Sequence, residues 1–575
     1  MRLDRLPISV LRTRYVPSGW DVLAFVLVFA FFIYLAQAAH GLTGSLAHLQ
    51  ATPISLRPSA LIGYAARTAL RMLIAMLASL LFTFTYATLA AKSRRAEVIL
   101  VPLLDFLQSV PILGFSITIV FFLQLTPGRV AGAEMAAIFL IFTSQAWNMA
   151  FSFYHSLRSI PDELTEAARN FQLGPWLRFW RLEVPFAMPA LIWNMMMSMS
   201  GGWFFVVVSE AISVGNTTVT LPGVGSYIAL AIEQKNLHAI GWAIGAMFVV
   251  ILLFDQLLFR PLTASADWFR LEQEAGFTPS HSWVLTMMRR SRFFGLIARA
   301  FALMLRAGAR ARPAAAAPAA RPVGAWHARW VDYVWYTVLG LIGAVALWKT
   351  TRFVMAEVQP AEIGHVILLG FITLVRVMVL IAIASLIWVP IGVWVGLRPR
   401  AASIVQPIAQ FLAAFPANLL FPIVVSAVVM FRLTPDIWLS PLMILGTQWY
   451  ILFNVIVGAS AIAPELRYAG ENLGVHGWLW WKRVALPAVF PFYVTGAITA
   501  SGGSWNASIV AEVVSWGKET LTAHGLGAYI SVATTAGDFQ RTVLGILVLS
   551  LFVVTLNRLF WRPLYARAER KFRIS

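Results

Sequence analysis

The chain has 575 residues, 59% hydrophobic and only 12% charged, with a mean hydropathy of +0.75, 40 Phe and 23 Trp. A soluble protein of this size needs far more charge to cover its surface, so composition excludes a soluble fold and indicates an integral membrane protein. The net charge of +19 sits in short loops without a nucleic-acid-recognition motif, and the lack of cysteine excludes disulfides, thiol catalysis and cysteine-held metals.

About 30 Å of hydrocarbon takes about 20 helical residues. On that measure the first half predicts spans near 20–41, 62–91, 97–124, 132–154, 185–211 and 239–260. The N-terminal MRLDRLPISVLRTRYVPSGW is basic, then apolar, with no clear small-residue cleavage site, so the first run is expected to be a retained span. A basic segment, 263–327, contains RRSRFF and ARARPAAAAPAARP and reads as a flexible or semi-extended linker. Six further spans are expected near 328–350, 365–397, 402–431, 436–460, 486–512 and 541–561. The expected fold is therefore all-α, with about 12 transmembrane helices in two domains, 1–262 and 328–575.

Loop charge sets the orientation. Arg2, Arg5, Arg12 and Arg14 precede the first span, Lys92, Arg94 and Arg95 follow the second, and Arg158, Arg169, Arg178 and Arg181 follow the fourth. The linker, Arg398, Arg400, Lys482, Arg483 and the tail ARAERKFR keep the same alternation. All fall on one side, which the positive-inside bias makes the cytoplasm, so both termini are expected there.

The halves repeat. Glu163/Glu465, Trp176/Trp478, Pro185/Pro487, Trp203/Trp505, Glu210/Glu512, Gly215/Gly517, Gly223/Gly525, Gly225/Gly527 and Tyr227/Tyr529 all differ by 302. Upstream, Thr68/Thr373, Arg71/Arg376, Pro102/Pro407 and Pro111/Pro416 differ by 305. Both copies begin inside, so the repeat is parallel, about a pseudo-two-fold axis along the membrane normal, and two such halves can enclose a path.

Between the fourth and fifth spans of each half lies a polar, helix-forming segment, ELTEAARNFQLGPWLRFWRLEVP from Glu163 and ELRYAGENLGVHGWLWWKRVALP from Glu465. Each is expected to end at the proline that starts the next span, Pro185 or Pro487. Two readings are open on physical grounds: a surface helix offered to a cytoplasmic partner, or an amphipathic helix on lipid headgroups.

The segments resemble the EAA loop of permease subunits of ATP-binding-cassette importers, whose pattern is Glu-Ala-Ala, three residues, Gly, nine residues, then Ile-x-Leu-Pro. The first copy has Glu166-Ala167-Ala168, then Gln172 in place of Gly, and the second has Tyr468-Ala469-Gly470, then Gly474. The T-x-x-R and P-x-x-x-F-L-x-x-x-P patterns, and Glu210 and Glu512 followed by G-x-G-x-Y, resemble the nitrate/taurine/sulfonate branch. Ordinary members are single six-span subunits that dimerise; this chain looks like two type I permease domains fused. The resemblance implies coupling loops at about 160–182 and 462–484, carried by Glu163, Glu166, Ala167, Ala168, Gln172, Glu465, Ala469, Gly470 and Gly474. It implies two copies of a partner ATPase that uses ATP and Mg, a periplasmic or extracellular substrate-binding protein, and a place in the bacterial inner (plasma) membrane. No G-x-x-x-x-G-K-[S/T] loop is present, so the chain is expected to bind no cofactor and hydrolyse no ATP itself. The implied solute is a small anion: nitrate, sulfonate, taurine or bicarbonate.

Several residues are candidates for the path. Arg71 and Arg376 either attract an anion or pair with a carboxylate, and Glu210 and Glu512 either fix the turn at the outer end of the fifth span or contact a ligand. Ser200 to Phe204 corresponds to Gly502 to Asn506; its small residues pack helices closely or approach a substrate, with Trp203, Trp505 and Asn506 beside them. Met195-Met196-Met197 reads as core packing or a metal path, and the histidines make no ligand-spaced pair. Alternatives to the importer permease are a secondary transporter with two parallel six-span halves, which needs charges in mid-span, and a scaffold without transport.

Overall fold

The computed structural model describes residues 54–109, 118–128, 130–214, 217–266, 283–291 and 325–572, with isolated positions at 22, 295, 296, 299 and 303. The expected span at 20–41, the basic run before it, most of the linker, Pro111 and Gly215 lie outside the described residues. The chain divides into two compact units. One includes the described residues of Ile160–Pro189 and Phe254–Ala320; the other includes those of Leu42–Ser159, Ala190–Leu253 and Arg321–Ser575.

Among the described residues eight helices are long and apolar enough to cross a membrane, or up to 10 if two bent pairs each count as a span. Of the remaining expected spans, 20–41 is outside the described residues but for position 22, and 97–124 overlaps helices Arg94–Ser109 and Thr118–Leu125. Ala60–Lys92 shows why such helices form: Leu61, Ala65, Thr68, Met72, Ala75 and Ser79 recur every three or four residues on its buried face. That stripe packs on the small residues of Val130–Arg158, whose buried side includes Ala133, Ala136, Ala137 and Ala146. Met197 packs with Val395, Leu452 and Ile456 in an apolar cluster.

Two sequence expectations are corrected. The span at 402–431 is broken: Pro399–Ala414 and Ala417–Met430 meet at 78°. The cause is Pro416, which disfavours helical backbone at the preceding residue, and Phe415 is indeed extended, at φ −72° and ψ 129°. The span at 436–460 bends by 45° between Pro435–Ile444 and Trp449–Ser460. The second correction concerns Pro185 and Pro487, which do not end a helix. Helices run on through them, from Pro175 to Ser209 and from Gly477 to Ala511.

A widened turn makes this possible. Phe179–Glu183 and Trp481–Ala485 are π-helical, and the N–H groups of Val184 and Leu486 reach back five residues to Phe179 and Trp481. Proline has no N–H for the carbonyl four residues earlier and crowds it; the wider turn relieves both defects. The same device recurs before Pro261 and Pro563, at Asp255–Phe259 and Asn557–Trp561. The repeat extends to two hairpins, Ala211–Val214/Thr217–Thr220 and Val513–Trp516/Glu519–Thr522, which have matching registers.

Candidate functional site

Arg71 is paired, not free. Its Nη1 donates to Glu210 Oε1 at 2.6 Å and to the Pro222 carbonyl at 3.1 Å. Its Nε and Nη2 donate side-on to both oxygens of Glu134, each at 2.6 Å. Thr68 Oγ1 donates to Glu210 Oε1 at 2.7 Å, and the Gly225 N–H donates to Oε2 at 2.7 Å. Arg71 is 3% exposed and Glu210 fully buried, so each charge needs the other.

The second half repeats the cluster in looser form. Arg376 Nη1 donates to Glu512 Oε1 at 2.7 Å and Nη2 to the His524 carbonyl at 3.2 Å, while Asp436 Oδ1 stands 3.6 Å from Nη2. Asp436 lies 302 residues after Glu134, and the aspartate is one methylene shorter, so the side-on pairing is lost. Asp436 is 47% exposed and accepts instead from the backbone N–H of His524 at 2.6 Å. Glu134 and Asp436 were missed at the sequence level, although the 302-residue offset links them as it links the glutamates.

The G-x-G pairs belong to these clusters. A Cβ on Gly223 would lie 2.2 Å from Glu210 Oε2, and one on Gly225 would lie 2.0 Å from the Val207 carbonyl oxygen. Only glycine lets the chain pass this close to a buried carboxylate, and the N–H of Gly225 in the first copy and of Ala528 in the second then donate to it.

The two polar segments that resemble the EAA loop share one local geometry. Asp162–Asn170 ends at Gln172, with φ +51°, where the Leu173 N–H reaches the Ala168 carbonyl at 3.0 Å. Pro464–Asn472 ends the same way at Gly474, φ +66°, with the Val475 N–H on the Gly470 carbonyl at 2.9 Å. This left-handed helix stop is what glycine serves; Gln172 adopts it with a side chain. Ala168 is buried, whereas Phe171 and Leu473, equivalent residues at the two stops, are 78% and 79% exposed. The copies also differ: buried Glu183 pairs with Arg178 at 3.1 Å in the first, where the second has Ala485 and Trp480.

A cavity of about 290 Å³ in the larger unit is lined from both sequence halves. Its wall includes Gln108, Thr143 and Asn148 from the first half with Ser200 and Gly201, and Tyr450, Gly502, Trp505 and Asn506 from the second. Among the described residues the lining includes Trp505 and Asn506, but not Trp203, Arg71, Arg376, Glu210 or Glu512. Gly201 and Gly502 have open space where a Cβ would stand, whereas Gly202 abuts Gln145 and Met72, and Gly503 abuts Thr447. Gly202 thus serves helix packing, Gly201 and Gly502 the cavity wall, and Gly503 both.

A family model for the binding-protein-dependent transport system inner membrane component matches residues 84–262 and again 388–562, together more than half of the chain. The chain belongs to this family. It carries the permease domain twice, as a fused pair. It is 27% identical over 187 residues to the nitrate import permease protein NrtB of Leptolyngbya laminosa, covering 32% of this chain and 63% of that protein. It is 27% identical over 186 residues to the bicarbonate transport system permease protein CmpB of Synechococcus elongatus, covering 32% and 64%. It is also 27% identical over 169 residues to the glycine betaine/carnitine transport permease protein GbuB of Listeria monocytogenes, covering 29% and 54%. Each alignment spans less than two thirds of the relative's length.

The two permease copies differ around Tyr227 and Tyr529. Glu362 accepts from Arg541 Nε at 2.7 Å and from the Tyr529 hydroxyl at 2.9 Å. Burial, then that hydrogen bond, pushes the Tyr529 phenol up. Although burial opposes it, Asp538 is held below the usual carboxylate range by the Arg541 N–H and guanidinium. In the first copy Asn236 caps the equivalent helix at 3.0 Å, and the Tyr227 hydroxyl donates to the Leu56 carbonyl at 3.0 Å. Among the described residues no group of three or more His, Cys, Asp or Glu is placed to hold a metal ion.

Proposed function

We propose that this chain forms the translocation path of an ATP-driven importer and that separate ATPase subunits power it. The observation that carries the reading is the pair of helix-stop segments at equivalent positions, each exposing a large apolar side chain, Phe171 or Leu473, in a polar stretch. Exposed apolar groups of this kind seek a partner surface. Two such handles take two copies of an ATPase, which binds ATP and Mg; the chain itself is a transport component and not an enzyme. Closing of the ATPases moves the handles, and the two halves rock to open the cavity alternately to either side.

In this reading domains 1–262 and 328–575 are joined by a cytoplasmic linker, 263–327, and both termini are cytoplasmic. A substrate-binding protein delivers the solute at the outer face. The relatives' names give nitrate, bicarbonate and betaines as cargo, all small and polar. We read the solute here as a small anion of the nitrate, sulfonate, taurine or bicarbonate class.

Purification of the chain with its ATPase tests the reading directly. Solute-stimulated ATP hydrolysis in proteoliposomes is expected; ion-driven uptake without any ATPase would instead make the chain a secondary transporter. The double variant Glu166→Ala/Gly474→Ala is expected to uncouple transport from hydrolysis more than either single change. Equal single and double effects would contradict two cooperating handles.

A further inference from the structure

The long segment between the two permease copies has a one-sided composition. Between Glu274 and Asp332 the sequence contains nine arginines, no lysine and no acidic residue. Charge that fixes topology acts within about 15–20 residues of a span. Arg290 stands 25 residues beyond Leu237–Ser265, and Arg299 stands 37 residues before Tyr336–Met355. Topology therefore does not account for them. A solvated basic loop accounts for charge, but it has no use for large apolar groups.

The second observation is that such groups stand beside these arginines. Helix Trp283–Arg290 buries Val284 and Met287 and packs on helix Arg260–Ala266, while Trp283, Met288 and Arg290 stay exposed. Leu296, Arg299 and Leu303 are helical positions too, and all three are exposed, Leu296 at 56% and Leu303 at 64%. Seven residues are about two helical turns, so this spacing puts both leucines on one side, with Arg299 three residues after one and four before the other. Arginine grips phosphate through paired N–H donors and is more weakly hydrated than lysine. Leucine, methionine and the indole body gain by leaving water. The boundary of an anionic bilayer offers phosphate charge and hydrocarbon within a few Å of each other. A nucleic-acid backbone offers the charge without an aliphatic phase.

We propose that Trp283, Met288, Arg290, Leu296, Arg299 and Leu303 dock on the anionic phospholipid headgroups of the bilayer, with the arginines on phosphate and the apolar side chains at the acyl boundary. That the contact is with the cytoplasmic leaflet rests on the orientation in the permease reading; the preference for anionic lipid does not. Each arginine held at an anionic surface favours binding by about fivefold, and the attraction fades within a Debye length, so the contact is sensitive to salt.

A nitroxide on Leu303→Cys tests this in the full chain, which has no other cysteine. Collision with oxygen reports hydrocarbon, and collision with a neutral nickel chelate reports water. In nanodiscs containing phosphatidylglycerol the label should meet oxygen, and in phosphatidylcholine alone it should meet the chelate. Salt at about 1 M, where the Debye length is about 3 Å, should return the label to water without any substitution. Arg290→Gln/Arg299→Gln should lower the bound-to-free ratio by about 25-fold, and Leu296→Gln should lower it severalfold with the charge unchanged. A label on Leu551→Cys, exposed on the span Phe539–Ala568, is the hydrocarbon reference in both lipids. Equal burial of the Leu303→Cys label in both lipids overturns the anionic preference. A label in water in every lipid overturns the docking, and one that leaves water only when the ATPase is added makes the partner a protein. Unchanged binding in both substituted chains overturns the residue assignment. An impermeant thiol reagent that reaches Leu303→Cys only from outside intact cells overturns the orientation in the permease reading and leaves the nanodisc result standing.

Discussion

A side chain on Gly525 would collide with the carboxylate of Glu512: a Cβ there would stand 2.3 Å from both of its oxygens. The backbone at Gly525 is extended, at φ −178°, so space and not conformational freedom selects glycine. Gly525→Ala must push a buried, hydrogen-bonded carboxylate off its partners and is expected to destabilise the protein by about 1–3 kcal/mol. Gly364, a helical glycine with nothing within 4 Å of a built Cβ, is the control. Gly364→Ala should leave stability unchanged or raise it by up to about 1 kcal/mol. Thermal unfolding in detergent micelles separates the two, and similar midpoints would sink the steric account.

The two arginine clusters should not be equally important. Removing Arg71 strands Glu210 and Glu134 without a countercharge, and one stranded buried charge typically costs about 3–5 kcal/mol. Arg376 faces a more exposed Asp436 at 3.6 Å, where water screens the pair. Arg71→Met should therefore lower the unfolding midpoint more than Arg376→Met. Equal or reversed losses would show that burial does not set the difference.

Much of this was legible in the sequence because a repeat constrains its own interpretation. The offset of 302 places Glu210 and Glu512 at the same turn, and the structure brings each to the arginine of a distant span, Arg71 or Arg376. Glu134 and Asp436 share that offset but differ in side-chain length, and a search for identical pairs passes over them. The break at Pro416 lay in a continuous apolar run, where hydropathy reports membrane depth and is blind to direction. Pro185 and Pro487 misled for a different reason: proline usually limits a helix, and a π turn that absorbs it has no composition signature. The cavity is built from residues scattered over seven segments, each ordinary by itself, and only their convergence shows that among the described residues no Asp, Glu, Lys, Arg or His faces it.

Gln172 holds a conformation that its equivalent, Gly474, adopts without strain. A side chain in the left-handed region costs about 1–2 kcal/mol. Gln172→Gly should therefore steady the first helix stop, and Gly474→Ala should loosen the second. Hydrogen exchange of the Leu173 and Val475 amides, which close the two stops, reads the change locally. Faster exchange at Leu173 in Gln172→Gly would argue that the side chain makes a compensating contact.

Pro487 follows a widened turn between helix Pro464–Asn472 and the span that runs on to Ala511. Its missing N–H leaves the Arg483 carbonyl without its ordinary donor, and the turn Trp481–Ala485 widens to i→i+5 bonding in response. Pro487→Ala returns that donor and removes the ring, so the turn can close to ordinary α-helix. One residue of register amounts to about 100° of rotation and 1.5 Å of rise, applied to everything on the N-terminal side of the turn. Leu473 would swing with it. The chain contains no cysteine, so spin labels at Leu473→Cys and Leu551→Cys, both at exposed positions, report the phase without background. Pro487→Ala is expected to shift the label-to-label distance by several Å, on the order of one helix radius with its side chain, and to reduce uptake more than ATP hydrolysis. An unchanged distance distribution would mean that packing, and not the proline, keeps the turn wide.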